Sequence, residues 1–507
     1  MNPVDVLIVG AGPTGLVLAL WLTKLGIRVR IIDKSAQPGT TSRALAVQAR
    51  TLELYRQLDL ADAVVARGHK VPAVNLWAEG KRKAHLDFTH IGAGLTPYAF
   101  MEIFPQDEHE GLLVERLSAM GVTVERRTEL SDFREEATHV VARLRGFDGS
   151  EQQCEAAFLA GCDGARSVVR ETLGLGFPGG TYKHIFYVAD VEASGPAING
   201  ELHVDLDVAD FVAVFPLAGA GRARLVGSIR DRGIDRNALT FEDVSRRAIR
   251  NLNISVRKVN WFSTYHVHHR VAEHFRKGRA FILGDAAHVH SPVGGQGMNT
   301  GIGDAVNLAW KLASVLQRRG PESLLDSYEP ERIRFARKLV ATTDRAFKMV
   351  TAEGRIADIV RTRIAPVVLS GLLRFNFARD FLFKTASQIT VNYRSSPLSE
   401  GKAGGLFGGD RLPWTGRASA DNFDASSAMR WQVHVYGPVN AEVESWCGQH
   451  RVPLSAFPWQ DGLENAGFSP GGVYLVRPDS YIALAHPSRA ARALSEYAAR
   501  RGISMGE

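Results

Sequence analysis

Residues 4–9, Val-Asp-Val-Leu-Ile-Val, are apolar almost throughout, the pattern of a strand buried on both faces of a parallel sheet. Gly10-Ala11-Gly12-Pro13-Thr14-Gly15 follows at once, and a helical run continues through Leu16, Leu20 and Leu25 to a C-capping Gly26. Residues 27–32 form a second apolar strand that ends in Asp33. An apolar strand over 156–160 leads into Cys162-Asp163-Gly164-Ala165-Arg166-Ser167. Another, over 279–283, leads through Gly284-Asp285 and a glycine-rich loop into a long helix. That helix carries Ile302, Ala305, Ala309, Leu312 and Leu316 on one face.

Between about 179 and 275 the pattern changes to alternation, as in residues 186–191 and 211–215, followed by Arg224-Leu225-Val226-Gly227. This predicts a mixed or antiparallel sheet, to which 76–97 adds strands. Serine, proline and glycine concentrate over 392–409 and mark a linker. Beyond it the spacing predicts a strand over 430–436, a helix over 441–450, a hairpin of 473–476 with 481–485, and a helix over 488–501. The domains expected are a discontinuous cofactor domain (1–75, 98–178 and 276–395), a substrate domain (76–97 and 179–275) and a C-terminal domain (396–507).

Composition narrows the function classes. The 507 residues suit two to four domains. Apolar residues at 45% and charged residues at 23% exclude wholesale disorder. Lys plus Arg less Asp plus Glu is 61 − 54 = +7, mild for this length, with only short clusters such as Lys81-Arg82-Lys83. Charge gives no reason to expect nucleic-acid binding. Cys154, Cys162 and Cys447 form no disulfide framework and no CxxC, which suits a reducing cytoplasm. No signal peptide is expected before the strand at Val4. No stretch approaches 18 apolar residues, so stable membrane insertion is not expected. The longest apolar run, 364–373, is interrupted by Pro366 and reads as a core or interface helix.

The strand–glycine turn–helix unit is the dinucleotide fingerprint in its required context. Its glycines let the backbone approach a pyrophosphate at the positive end of a helix. Asp33 lies 18 residues after Gly15. A carboxylate there accepts from a ribose diol and repels a 2′-phosphate, so this first ligand should be FAD or NAD. The Asp-Gly-x-x-Ser at 163–167 could by itself be a turn with a helix cap. No GxSxG elbow is present to support a serine hydrolase.

The three motifs, in this order and spacing, resemble the class A flavoprotein monooxygenases, the p-hydroxybenzoate hydroxylase-like family. The stretch from Tyr265 to Leu312 is closest to its aromatic-polyketide and phenol hydroxylase branch. The resemblance implies an α/β fold: a Rossmann-like FAD-binding domain of the GR2 type, a mixed-sheet substrate domain and a thioredoxin-like C-terminal domain. It assigns the ADP half of FAD to Gly10, Gly12, Thr14, Gly15 and Asp33. Arg43, in Ser42-Arg43-Ala44, falls near the phosphates, and Gln106, in Phe104-Pro105-Gln106, meets the flavin. Asp163 belongs to a motif serving FAD and NAD(P)H, and Asp285 to the one that binds the ribityl chain. Gly297, Met298 and Asn299 meet the pyrimidine edge through backbone and amide, and Pro292 stands in the flavin-proximal loop. The family more often has Glu at the position of Asp33.

The activity implied is hydroxylation of an aromatic compound, polycyclic or quinone-like, by dioxygen, FAD and NADPH or NADH through a flavin C4a-hydroperoxide. Baeyer–Villiger or epoxidising oxygenation on the same scaffold is an alternative, and a non-catalytic flavin- or drug-binding protein another. FAD is expected to be non-covalent. With no second dinucleotide unit, NAD(P)H would bind transiently. No side chain is assignable as a general base. Trp77, Phe211 and Phe215 are candidates to line the substrate pocket. His266, His268, His269, His288 and His290 invite a metal reading, but the resembled family has similar histidines without one, so no metal is expected. The halogenase signature GWxWxIP is absent. A homodimer is compatible with this reading.

Overall fold

A computed structural model describes residues 4–39, 44–88, 91–206, 211–230, 238–291, 294–351, 359–372, 375–416, 421–488 and 490–506. The apolar strands of the sequence pair where both faces can be covered. Ala280–Ile282, Glu151–Gly161, Val4–Val9, Val29–Asp33 and Glu125–Arg126 run parallel in that order, and an antiparallel pair, Val140–Gly146 with Thr128–Glu135, joins Glu151–Gly161. Helices Pro13–Lys24 and Gly297–Leu316 pack together against this sheet, and Gln106–Ala119 lies beside the first of them. Val6, Leu7, Ile8 and the helical run Leu16–Leu22 are fully buried. That is why both strand and helix read as apolar all round.

The second sheet has eight strands in the order His288–Val289, Ser255–Val271, Gly179–Ser194, Arg222–Arg230, Phe211–Pro216, Leu202–Leu206, Ala73–Ala78 and Lys81–Asp87. One pairing is parallel, Leu202–Leu206 with Ala73–Ala78, and the rest are antiparallel. A small sheet of Ala46–Val47, Met101–Ile103 and His69–Val71 shares a core with one of its faces.

The third sheet runs Leu406–Phe407, Glu400–Ala403, Ile482–His486, Gly472–Val476, Gln432–Tyr436, Leu454–Phe457. Helix Ala441–His450 joins the parallel pair Gln432–Tyr436 and Leu454–Phe457, and Ala491–Arg501 closes the chain. One expectation fails here, and one of the two alternatives of another. Residues 400–407 are not linker but strands of this sheet. The glycines serve close approach: a Cβ at Gly408 or Gly409 would strike the backbone of Glu400 or Arg394. Of the core or interface helix expected over 364–373, the core alternative fails. Helix Ala365–Leu372 leaves Val367 70% exposed and Val368 51% exposed. Among the described residues, no helix is long and apolar enough to cross a membrane.

Candidate active site

Two of the three fingerprint glycines are required by the chain itself. Gly10 has φ +101°, and a Cβ on it would strike the Cys162 carbonyl oxygen; one on Gly15 would strike the Gly10 carbonyl oxygen. Gly12 differs. Its φ of −76° suits any residue, and a Cβ there would have no heavy atom within 4 Å. This cradle opens onto the N-terminus of Pro13–Lys24, whose first turn holds no acid and whose free N–H groups face outward. A diphosphate fits that space and that charge.

Asp33 ends its strand beside the cradle. Ala11 N donates to Asp33 Oδ2 at 2.7 Å and Ser35 N to Oδ1 at 2.7 Å. Arg126, its register partner on the neighbouring strand, places Nη1 3.9 Å from Asp33 Oδ2, while its Nη2 is buried with no hydrogen-bond partner. Arg126 was not foreseen; only the pairing of Glu125–Arg126 with Val29–Asp33 brings it here.

Thr14 joins the motifs. Its Oγ1 lies 2.6 Å from a Cβ built on Gly284, and a Cβ on Gly301 would strike it. The Asp163 turn is tied to the Asp285 turn by Arg170, whose Nη1 donates to the Ala286 carbonyl at 2.9 Å. Ser167 caps helix Val168–Thr172 by accepting from Arg170 N. Asp163 Oδ2 accepts from Val169 N at 3.2 Å, but Oδ1 is buried without a partner, and burial raises its carboxyl. Asp285 crowns the turn Gly284–Ala286 with its side chain exposed. A buried acceptor and an exposed carboxylate on adjoining turns suit a polyhydroxylated chain between them.

Gln106 opens helix Gln106–Ala119; its N donates to the Ala44 carbonyl and its Nε2 to Glu110 Oε1 at 2.7 Å. Gly297 and Met298 begin helix Gly297–Leu316, again with no acid in the first turn. Asn299 is placed there too, but its amide is fully used. Oδ1 accepts from Gln48 N (2.8 Å) and Thr51 Oγ1 (2.7 Å), and Nδ2 donates to the carbonyls of Ala46 and Gly295, both at 2.9 Å. Its side chain therefore ties the glycine loop to segment 46–51, and its backbone N–H alone is left for a ligand. Arg43 and Pro292 lie outside the described residues.

The second sheet turns one face to this loop. Direct cross-strand partners share a face, giving two rows: Trp261, Asp190, Arg224, Phe215, and Tyr265, Phe186, Ser228, Phe211. Phe211 and Phe215 thus stand together, in one apolar cluster with Leu45 and Ala46. Ala46 meets the loop, 2.9 Å from a Cβ built on Gly295. A half-buried ion pair interrupts the aromatics, with Arg224 Nη2 2.7 Å from Asp190 Oδ2. Trp77 departs from expectation. Val74 and Leu76 pack on the aromatic face, so Trp77, alternating with them, packs in the cluster on the opposite face. Its Nε1 donates to His203 Nδ1 at 3.0 Å, and burial pushes that histidine down to about 4.

A family profile described as FAD binding domain matches residues 3–343. The chain belongs to this family, the class A flavoprotein monooxygenases. This flavoprotein is 35% identical to 6-methylpretetramide 4-monooxygenase of Streptomyces rimosus, over 94% of its own chain and 90% of the relative's. It resembles the solved anhydrotetracycline hydroxylase OxyS from Streptomyces rimosus at 28% identity, with a TM-score of 0.78 and 98% of each chain covered. The flavin-dependent monooxygenase PieE, solved with FAD and substrate, shares the fold at 23% identity, with a TM-score of 0.83 and 98% of each chain covered. FAD is the cofactor of this flavoprotein. Among the described residues, no group of three or more His, Cys, Asp or Glu could hold a metal ion.

Beneath the cofactor motifs lies a layer that the sequence did not announce. Asp304 is fully buried and accepts from Gly284 N (3.0 Å), His288 Nε2 (2.7 Å) and Arg332 Nε (2.6 Å). Arg332 also donates to the Thr300 carbonyl at 3.0 Å. Burial alone would raise the Asp304 carboxyl, but Arg332 and then His288 outweigh it and hold it low. One carboxylate thus braces both the Asp285 turn and the Gly297 helix.

Proposed function

We propose that this protein is an FAD-dependent, NAD(P)H-consuming monooxygenase that hydroxylates a polycyclic aromatic compound. The observation that carries the reading is the aromatic face of Phe186, Phe211, Phe215, Tyr265 and Trp261 sharing a cluster with Ala46 against the Gly295 loop. The relatives' names carry 6-methylpretetramide and anhydrotetracycline, which supports a substrate of that class.

When bound, FAD supplies dioxygen activation at its C4a position. The chain's residues do the rest. The Gly12 cradle and the following helix bind diphosphate, Asp33 binds a ribose diol, and Asp163 with Asp285 binds the ribityl hydroxyls. The N–H groups of Gly297, Met298 and Asn299 would hold the pyrimidine edge, where positive helix-end charge would favour negative charge on the ring. The aromatic face orients the substrate ring and excludes water.

We place a transient site for NAD(P)H beside the Asp163 motif, where arginines gather on an aromatic ring. Arg170 and Arg270 lie over the Phe177 ring at 4.0 and 6.0 Å. Burial first, then Arg270, pushes the nearby His268 imidazole down, as expected beside positive charge. Phosphates of the reductant suit it. We read the C-terminal unit as thioredoxin-like, from its β-α-β unit, hairpin and closing helix.

The test is coupling. A polycyclic phenolic substrate should accelerate NAD(P)H oxidation by the holoprotein at least roughly tenfold, about 1.4 kcal/mol of barrier. Labelled dioxygen should leave one labelled atom in the product. Label arriving from water, or equal oxidation with and without substrate, would overturn the assignment.

A further inference from the structure

Among the described residues, ten of the eleven large apolar side chains left exposed fall between positions 359 and 382. On helix Ala365–Leu372, Val367, Val368 and Leu372 recur at helical spacing and share one exposed side. On helix Asn376–Ala386, Phe377 and Phe381 stand one turn apart, 70% and 72% exposed. Phe375 joins the two stripes. Its ring lies 5.7 Å from that of Phe377, and its N–H donates to the Leu372 carbonyl at 3.0 Å. The other side of this helix pair already has partners. Phe383, turned to the opposite side of its helix from Phe381, packs on Gly92, where a Cβ would strike its ring. Helix Ala365–Leu372 lies beside Lys81–Asp87, an edge strand of the second sheet. The apolar stripe is thus an outer face of a segment whose inner face is occupied. A contiguous exposed apolar face of this kind marks a docking surface.

Charge selects the occupant. Residues 359–386 carry five Arg or Lys and one Asp, so 5 − 1 = +4 of the chain's net +7 falls in this short segment. Arg363, Arg379 and Lys384 flank the apolar face, with Asp380 against them. The edge strand adds exposed Lys81, Arg82 and Lys83, set against Glu79 and Asp87. Glu79 is shared between Lys83 at 3.6 Å and Arg363 at 4.0 Å. A two-fold contact between copies would bring this positive set against itself. An anionic bilayer surface offers what both parts of the face need: acyl chains for the Val, Leu and Phe side chains, and headgroup phosphates for the Arg and Lys around them. Neither helix is long enough to span a bilayer, so both would lie in its surface plane.

We propose that the apolar face of helices Ala365–Leu372 and Asn376–Ala386 docks this protein on an anionic membrane surface.

Co-sedimentation of the FAD-loaded protein with vesicles tests it. The probes are vesicles of phosphatidylcholine alone and of phosphatidylcholine with about one-third phosphatidylglycerol. The protein should partition onto the mixed vesicles at least roughly tenfold more strongly, and high salt should erase most of that preference. Val367→Ser, Phe377→Ser and Phe381→Ser combined should weaken partition onto the mixed vesicles at least roughly tenfold. These side chains stand mostly in solvent, so the melting temperature and FAD content of the variant should match the parent's. Arg379→Gln with Lys384→Gln leaves the apolar face intact and should lose most of the preference for the mixed vesicles. Equal partition of the parent and the triple variant would remove the apolar face from the contact. Equal partition of the parent onto both kinds of vesicle would remove the anionic surface as its occupant. A parent that stays in solution with both, dimeric by light scattering where the triple variant is monomeric, would give the face to a second copy. A monomeric parent that stays in solution with both would overturn the proposal outright.

Discussion

Arg477 and Glu331 stand 146 positions apart in the chain and 2.8 Å apart in the core, both side chains fully buried. Arg477 Nη2 also meets Asp479 Oδ2 at 2.6 Å. Glu331 receives Lys311 Nζ at 2.8 Å, Asn307 Nδ2 at 2.6 Å and Ser396 Oγ at 2.6 Å. Arg477 and Asp479 belong to the C-terminal unit, and Lys311 and Glu331 to the helices Gly297–Leu316 and Tyr328–Thr351 of the FAD unit. Burial alone would raise the Glu331 carboxyl, but Arg477 and then Lys311 hold it well below the usual range. Burial outweighs the pull of Glu331 on Lys311 and brings it down to about 8.

Breaking such a pair leaves a buried charge without compensation. Arg477→Ala should therefore destabilise the protein by about 3–5 kcal/mol, read as a shift in the denaturant midpoint. A loss under about 1 kcal/mol would mean that water replaces the guanidinium and the junction is wet.

The glycines of the fingerprint make a sharper comparison. Gly12→Ala meets empty space and ordinary backbone, so the apoprotein should unfold within about 0.5 kcal/mol of the parent. Its FAD affinity should fall at least tenfold, because the methyl occupies the diphosphate cradle, roughly 1.4 kcal/mol or more. Gly10→Ala strikes the Cys162 carbonyl oxygen and should destabilise the apoprotein itself. Differential scanning of the apoproteins with fluorescence titration of FAD separates the two. Equal behaviour would remove the cradle from the cofactor site.

These glycines were legible because they answer local constraints of turn and close approach. The strand before them and the helix after them are apolar for an equally local reason, burial on every side. Helix Ala441–His450 was legible for the same kind of reason, opening on Asn440, whose side chain accepts from Glu442 N. What stayed hidden depends on partners far along the chain. Asn307 and Lys311 are polar positions of a long helix, yet both are buried against Glu331. Asn299 reads as a free amide, and only segment 46–51 shows that it is a tie. Trp77 could not be assigned a face until Val74 and Leu76, with which it alternates, were seen to pack on the aromatic side. The glycines over 404–409 read as slack, and they are tight because two backbones meet there.

Cys447 should be chemically silent. It is buried in helix Ala441–His450, and burial pushes its thiol up to about 11, so almost no thiolate exists at pH 7. Neither Cys154 nor Cys162 lies in the C-terminal unit to pair with it. Cys447→Ser should leave turnover within about twofold, since a single neutral thiol cannot cycle as a dithiol. Activity lost on mild oxidation and recovered with a thiol reductant, in the unaltered protein but not in the variant, would show otherwise.

Glu102 sets the expected pH dependence of stability. It occupies the middle of strand Met101–Ile103, between Val47 and Lys70, at 0% exposure. Neither carboxylate oxygen has a hydrogen-bond partner, and a Cβ on Gly68 would strike Oε1. Burial raises its carboxyl to about 8, with Lys70 pulling partly the other way. Below about pH 4.5 the group is neutral in both states and costs nothing. As pH rises from there toward 8, the unfolded chain ionises while the folded one does not, so stability falls across that window and stays reduced above it. The interval caps the effect at about 5 kcal/mol. Glu102→Gln removes the ionisation. Its melting temperature should match the parent near pH 3.5 and exceed it at pH 8.5. The strand also backs Val47, next to Gln48, whose Nε2 donates to the Gly294 carbonyl at 3.1 Å in the flavin loop. FAD retention on dilution should therefore decline with pH in the parent and less in the variant. Parallel pH profiles for the two proteins would place the titrating group elsewhere.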